Sequence, residues 1–269
     1  MIDLDAILEI VLRCISDSAR EILKIYYSSG KLFRELKTDK SPVTQADLIS
    51  HQIISDRLSK EFSYPILSEE SADDAVRLES EYVWIVDPLD GTKEFIAKLD
   101  EFTINIALVK RGRPILAAIS VPAKNILYYA TKGGGAFIEH HGQRQGIYCS
   151  RVTDLQKAKL SVSRSHLNEQ LAQLLEKASI LNLIPTGSAL KYCSIASGET
   201  DASLRKTPLM EWDICAADCI LTEAGGSITD FQGNQLKYNR KNPIFDAGIV
   251  SSNQFLHQLL LHLIKPIAG

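Results

Sequence analysis

No stretch of this chain approaches the ~20 consecutive apolar residues that a membrane span requires. Its first residues, Met1-Ile2-Asp3-Leu4-Asp5, carry acids where a secretory signal needs positive charge. A soluble, cytoplasmic protein is therefore expected. Basic excess is also missing. The 30 Lys and Arg stand against 33 Asp and Glu, a net charge of −3. A non-specific binder of nucleic-acid polymers needs a basic face, so that class is excluded. A nucleotide-sized ligand met by a few local cations is not. No CxxC pair occurs, and the cysteines (Cys14, Cys149, Cys193, Cys215, Cys219) are odd in number. They read as buried reduced thiols rather than a zinc site. There is no GxSxG elbow, phosphate-binding P-loop, internal repeat or low-complexity linker.

What is present is ample apolar material. The 269 residues are 45% hydrophobic, enough for a large core or two apposed layers sharing a site. Apolar residues at three- and four-residue spacings predict a helix over residues 4–27. Residues 31–41 are charged and aperiodic and read as a loop. A second helix opens at Ser41-Pro42-Val43-Thr44, with Thr44 as N-cap and Ile49, Ile53 and Leu58 on its buried face. From Trp84-Ile85-Val86 the pattern becomes β. Strands over 103–109, 115–121 and 126–131, joined by short turns, predict an antiparallel meander. Beyond about residue 158, strands and helices alternate. Helices are expected over 168–178, 188–197, 212–224 and 254–263, and strands over 160–163, 181–185, 227–229 and 247–251. The expected organisation is an antiparallel half (1–155) followed by a mixed α/β half (156–269). This α/β (α+β) chain should form alternating helix and sheet layers, with the site between the halves.

The densest chemistry is Asp87-Pro88-Leu89-Asp90-Gly91-Thr92, at the end of the apolar run Tyr82-Val83-Trp84-Ile85-Val86. Two carboxylates three residues apart repel each other unless a cation lies between them. Further acids stand at the ends of predicted elements: Asp47, Glu69-Glu70 and Asp213. Hard divalent cations such as Mg²⁺ prefer oxygen ligands. Asp87 can bridge two ions, Asp90 can hold one, and the Leu89 carbonyl the other. With Glu69 and Asp213 added, a two-metal site is supplied. Gly91 and Thr92 would open a helix over 92–99, with backbone N–H groups available to a phosphate. Each feature has a blander reading. Asp47 and Asp213 are ordinary helix-start acids. Glu69-Glu70 is ordinary surface, and Asp87-x-x-Asp90-Gly is an Asx turn. Joint occurrence at element ends favours metal. His140-His141 reads as an exposed pair.

These motifs, with Trp212-Asp213-Ile214-Cys215-Ala216-Ala217 and Pro42-Val43-Thr44-Gln45-Ala46-Asp47, resemble the inositol monophosphatase superfamily of Mg²⁺-dependent, lithium-sensitive phosphatases. Thr92-Lys93-Glu94-Phe95, Ser163-Arg164-Ser165-His166 and Gly187-Ser188-Ala189-Leu190-Lys191 resemble its 3'(2'),5'-bisphosphate nucleotidase branch. The resemblance implies a layered αβαβα sugar-phosphatase-like fold. It implies hydrolysis of adenosine 3',5'-bisphosphate to AMP and phosphate, linked to sulfate assimilation, with two or three Mg²⁺ ions. An inositol or sugar-phosphate monophosphatase is the alternative on the same scaffold; a non-catalytic phosphate or metal sensor is a third reading.

Residue by residue, the resemblance implies that Glu69, Asp87 and the Leu89 carbonyl hold one metal, and Asp87, Asp90 and Asp213 a second. Asp47 and Thr92 would orient and deprotonate the attacking water. Gly91 and Thr92 would hold the phosphate. His166, Ser188, Lys191 and Arg205 would hold the nucleotide, with Arg205 in a segment of variable length. The choice of Glu69 over Glu70 follows the family pattern. The expected partner is a small nucleotide bisphosphate. Monomer and homodimer stay open, as does the peripheral attachment to the inner membrane's cytoplasmic face known for some members of this branch.

Overall fold

The computed structural model describes residues 2–28, 34–36, 42–164 and 168–267. Helix α1 (Leu4–Tyr26) is capped by Asp3, whose side chain accepts from the Asp5 and Ala6 N–H groups. Strand β1 (Arg34–Leu36), within the expected loop, pairs antiparallel with β2 (Pro42–Thr44). The rest of 31–41 lies outside the described residues. Helix α2 (Gln45–Glu61) follows directly.

The buried face of α2 is Ala46, Asp47, Ser50, Ile54 and Leu58; Ile49 and Ile53 are only half-buried. The apolar pattern misplaces this face because two polar residues, Asp47 and Ser50, turn inward. Ser50 Oγ donates to the Pro88 carbonyl at 2.6 Å and pairs with Ser18 Oγ of α1 at 2.7 Å.

The first sheet contains β3 (Ile66–Ser68), β4 (Tyr82–Asp90), β5 (Thr103–Lys110), β6 (Arg113–Val121), β7 (Ile126–Thr131), β8 (Gly135–His140) and β9 (Gln143–Ile147), in that spatial order. All neighbours are antiparallel, as the meander predicted, except β3, which runs parallel to β4. A short helix α3 (Thr92–Ile96) leaves the end of β4 and stops sooner than the pattern suggested. Both faces of this sheet are apolar, and residues alternate between them. Trp84, Val86, Ile104, Ile106 and Leu108 pack towards α1 and α2. Val83, Ile85, Ala107, Val109 and Ile119 pack the opposite way.

Beyond it come β10 (Leu160–Ser163), α4 (Glu169–Lys177), β11 (Leu183–Thr186), α5 (Leu190–Ala196), β12 (Ala202–Arg205), β13 (Leu209–Met210), α6 (Glu211–Glu223), β14 (Gly226–Asp230), β15 (Ile244–Phe245), β16 (Ile249–Asn253) and α7 (His257–Ile264). The second sheet has the order β11-β10-β12-β16-β14. Helices α5 and α6 share one core with the inner face of the first sheet. Helices α4 and α7 cover the outer face of the second. The layers are therefore helices, sheet, helices, sheet, helices. Cys14, Cys193, Cys215 and Cys219 are buried free thiols, and Cys149 is half-buried. No helix among the described residues is long and apolar enough to cross a membrane.

Candidate active site

The end of β4 is shaped by Pro88, which has no N–H for the ladder. Pairing with β5 jumps from Asp87↔Asn105 to Asp90↔Thr103, a bulge that turns two acids to one place. Asp87 Oδ1 accepts from the Leu89 N–H at 3.1 Å. The Asx turn and the metal reading are thus compatible: one carboxylate oxygen closes the turn and the other is left. Asp213 stands in the first turn of α6, where its Oδ2 accepts from the Met210 N–H at 2.7 Å. That is the helix-start role expected of it, and again one oxygen remains. One oxygen each of Asp87, Asp90 and Asp213 lie within 4.8 Å of one another.

Asp87 is 1% exposed, and its Oδ2 has no hydrogen-bond partner among the described residues. Burial, then the charges of Glu69, Asp90, Asp213 and Asp47, push its carboxyl well above the usual range. Burial and Asp213 push Asp90 up to about 6, against the attraction of Lys191. Burial raises Asp213, with Arg205 opposing. Carboxylates this close together, with a buried orphan oxygen among them, suit a multivalent cation held by oxygen.

Asp47 lies behind this cluster at the start of α2. Its Oδ2 accepts from the Thr44 N–H at 2.7 Å and the Thr44 hydroxyl at 2.6 Å. Its Oδ1 accepts from Thr92 Oγ1 at 3.1 Å. Burial raises this carboxyl, and the bonds from Thr44 and Thr92 work against that rise. Asp47 does not line the adjoining cavity, but Thr92 does.

That cavity, about 250 Å³, lies between the two sheets. Glu69, Asp87, Leu89, Asp90, Gly91, Thr92 and Asp213 line it, together with Ser188, Lys191 and Arg205. Glu69 is there and Glu70 is not. His166 lies outside the described residues. Gly91 has φ +91°, and a Cβ there would stand 3.0 Å from the Glu101 carbonyl, so a side chain is excluded twice. The turn before α5 is gripped from the first sheet's side at both ends. Glu101 accepts from the Gly187 N–H at 2.9 Å, and Asp90 from the Ala189 N–H at 2.6 Å. Ser188, held between them, takes a left-handed φ of +45°. The Lys191 ammonium donates to the Ser188 carbonyl, and burial lowers its pKa to about 8. Arg205 donates to the Thr207 and Pro208 carbonyls at 3.3 and 3.2 Å.

Sequence reasoning missed several neighbours. Glu94, Ser163 and Tyr192 also line the cavity. In the sequence Glu94 stands only as part of Thr92-Lys93-Glu94-Phe95; its burial beside Gly91 and Gly187 is decided by the fold. Arg164 forms a two-toothed pair with Glu101, at 2.8 and 3.2 Å, that bridges the cleft. Only the fold brings those two together. The His140 and His141 side chains are exposed, as expected.

The model for the inositol monophosphatase family matches residues 3–267. The 3'(2'),5'-bisphosphate nucleotidase CysQ of Salmonella typhimurium strain LT2 is 35% identical over 243 residues, covering 90% of this chain and 97% of that protein. The crystal structure of CysQ from Bacteroides thetaiotaomicron is 33% identical, with a TM-score of 0.78 over 93% of this chain and 98% of that one. The extragenic suppressor protein SuhB from Bartonella henselae is 27% identical, with a TM-score of 0.83 over 97% and 98%. With the acids, the layered fold and these relatives in agreement, the chain belongs to the inositol monophosphatase family, in its CysQ branch.

Proposed function

We infer that this chain is a metal-dependent phosphomonoester hydrolase, a 3'(2'),5'-bisphosphate nucleotidase that releases phosphate from adenosine 3',5'-bisphosphate and leaves AMP. One observation carries the reading. A cluster of carboxylates with an orphan oxygen shares one cavity with the cationic pair Lys191 and Arg205. A substrate with two phosphates can use both groups; an inositol monophosphate offers the cations no second phosphate. The named activity of the CysQ relatives, 35–36% identical, supports the same substrate class.

Glu69, Asp87 and the Leu89 carbonyl would hold one Mg²⁺, and Asp87, Asp90 and Asp213 a second. Bound there, such ions neutralise phosphate charge and acidify a water. The chain's own residues then manage the proton. The Thr92 hydroxyl donates to Asp47, so its lone pairs are free to accept from a water in the cavity. Asp47, raised by burial, is a stronger base than an ordinary carboxylate and takes the proton that Thr92 passes on. Thr44 fixes the other Asp47 oxygen and hence the direction of transfer. Gly91 and Thr92 would offer backbone N–H groups to the reacting phosphate. Arg205 is pre-oriented by two carbonyls, and with Lys191 and Ser188 would hold the second phosphate.

The test is phosphate release from adenosine 3',5'-bisphosphate with Mg²⁺, with EDTA and with Li⁺. Inositol 1-phosphate and fructose 1,6-bisphosphate serve as competitors. The expected result is metal-dependent, Li⁺-sensitive turnover with the highest kcat/KM on the nucleotide. Equal rates in EDTA would remove the metal, and a higher kcat/KM on inositol 1-phosphate would move the chain to the monophosphatase reading.

A further inference from the structure

Asn105 is 1% exposed in the middle of the first sheet, and neither its Nδ2 nor its Oδ1 has a hydrogen-bond partner among the described residues. Each such orphaned group costs on the order of 1–3 kcal/mol. Native folds keep few of them, and each asks for a reason. Its neighbours along β5 offer none, since Ile104, Ile106, Ala107, Leu108 and Val109 are all buried and apolar. An apolar residue at this position would suit the strand better.

The register gives the reason: Asn105 pairs directly with Asp87. Val83 and Ile85 precede Asp87 at two-residue steps, and Ala107 and Val109 follow Asn105 in the same way. All four belong to the core that contains α6. Asp87 and Asn105 therefore share the α6-facing side. Opposed side chains on one face have Cβ atoms about 4.5–5.5 Å apart. The oxygen that Asp87 has left after closing its turn is likewise without a partner. Two orphaned polar groups thus face each other beneath the carboxylate cluster, next to the helix that carries Asp213.

We propose that Asn105 is a positioning residue of the metal cage. Its Nδ2–H group donates towards the Asp87 carboxylate through one bridging water, and holds that carboxylate in the plane a cation needs. An amide suits this task because it is neutral. A Lys or Arg there would cancel the charge that draws the cation, and another acid would add to the repulsion. This rests on reading the acids as metal ligands.

The test compares wild-type protein with Asn105→Leu, whose side chain is close in size. The Mn²⁺ dissociation constant is measured by electron paramagnetic resonance without substrate, and Tm is measured in EDTA. Loss of a partner that orients a metal ligand is expected to weaken Mn²⁺ binding by roughly 10–100-fold. The Tm in EDTA should fall by no more than about 6 °C, because the variant takes one hydrogen bond from the buried Asp87 carboxylate and leaves the packing intact. Equal Mn²⁺ affinity in the two proteins overturns the role of Asn105. Weaker binding together with a Tm loss in EDTA well beyond about 6 °C also overturns it, since that marks a packing residue. If Asn105→Leu does not fold, Asn105→Ala takes its place under the same criteria. Wild-type protein that binds no Mn²⁺ at all refutes the metal reading itself.

Discussion

Asp90 allows the cost of the crowded acids to be worked through. Burial and Asp213 hold its carboxyl at about 6, against an ordinary value of 3.8. The folded chain therefore keeps a proton that the unfolded chain has released. Because the folded value is the higher one, the penalty is absent at low pH. It grows as pH rises through the window from about 4 to 6 and is complete above it. The gap corresponds to about 3 kcal/mol against the metal-free fold at pH 7.5. Coulomb's law gives a similar size: two charges 4.8 Å apart repel by about 3.5 kcal/mol at an effective dielectric constant of ~20. Asp90→Asn removes this repulsion. The amide oxygen can still accept from the Ala189 N–H, so the grip on α5 survives. Lys191 loses its attraction to Asp90, which trims the gain to about 2 kcal/mol, or roughly 4–8 °C in Tm. Differential scanning fluorimetry in EDTA should show Asp90→Asn melting above wild type at pH 7.5, with the difference falling to about half at pH 5. With Mg²⁺ present the order should reverse, and turnover should be lost. A metal-free Asp90→Asn protein that melts at or below wild type at pH 7.5 would refute the idea that these acids are held together against their charge.

Asp47→Asn and Thr92→Ala should each lower kcat by roughly 10²–10⁴-fold with Tm unchanged. Their combination should cost little more than either alone, because they share one proton route; multiplied losses in single-turnover assays would separate them. Lys191→Met should raise KM for adenosine 3',5'-bisphosphate by about 10–100-fold, the worth of a charge-assisted hydrogen bond. It should leave KM for a monophosphate within about threefold, and equal increases for both would place Lys191 on the reacting phosphate instead. Away from the site, Arg113 and Asp218 form an ion pair at 2.9 Å, with Asp218 only 1% exposed and also bonded to Tyr238 and Thr222. Asp218→Ala should cost about 3–5 kcal/mol in urea denaturation, since it strands a charge beside the core, and a loss under 1 kcal/mol would contradict that.

The acids were legible in the sequence because each stands where a regular element begins or ends. Asp47 and Asp213 occupy first turns, and Asp87 and Asp90 close a strand. Such positions follow from local pattern. Glu94 and Asn105 were harder to see. Asn105 interrupts an apolar strand by a single residue, and nothing nearby shows that it faces Asp87. The α2 face was misjudged for a related reason: Ser50 and Asp47 are buried by what they bond, not by their hydrophobicity.

The sequence by itself determined the main helices, the antiparallel meander, the carboxylate-rich motifs and the family, because these depend on short-range periodicity and on motifs a few residues long. Tertiary structure decided that Asp213 meets Asp87 and Asp90, and it places Glu69 rather than Glu70 at the cavity, with Lys191 and Arg205 sharing it, which local periodicity could not give. It also decided how far the acids depart from ordinary carboxylates. Burial and charge repulsion are sums over neighbours distant in the chain, and strand register and helix packing set those distances only once the layers have closed.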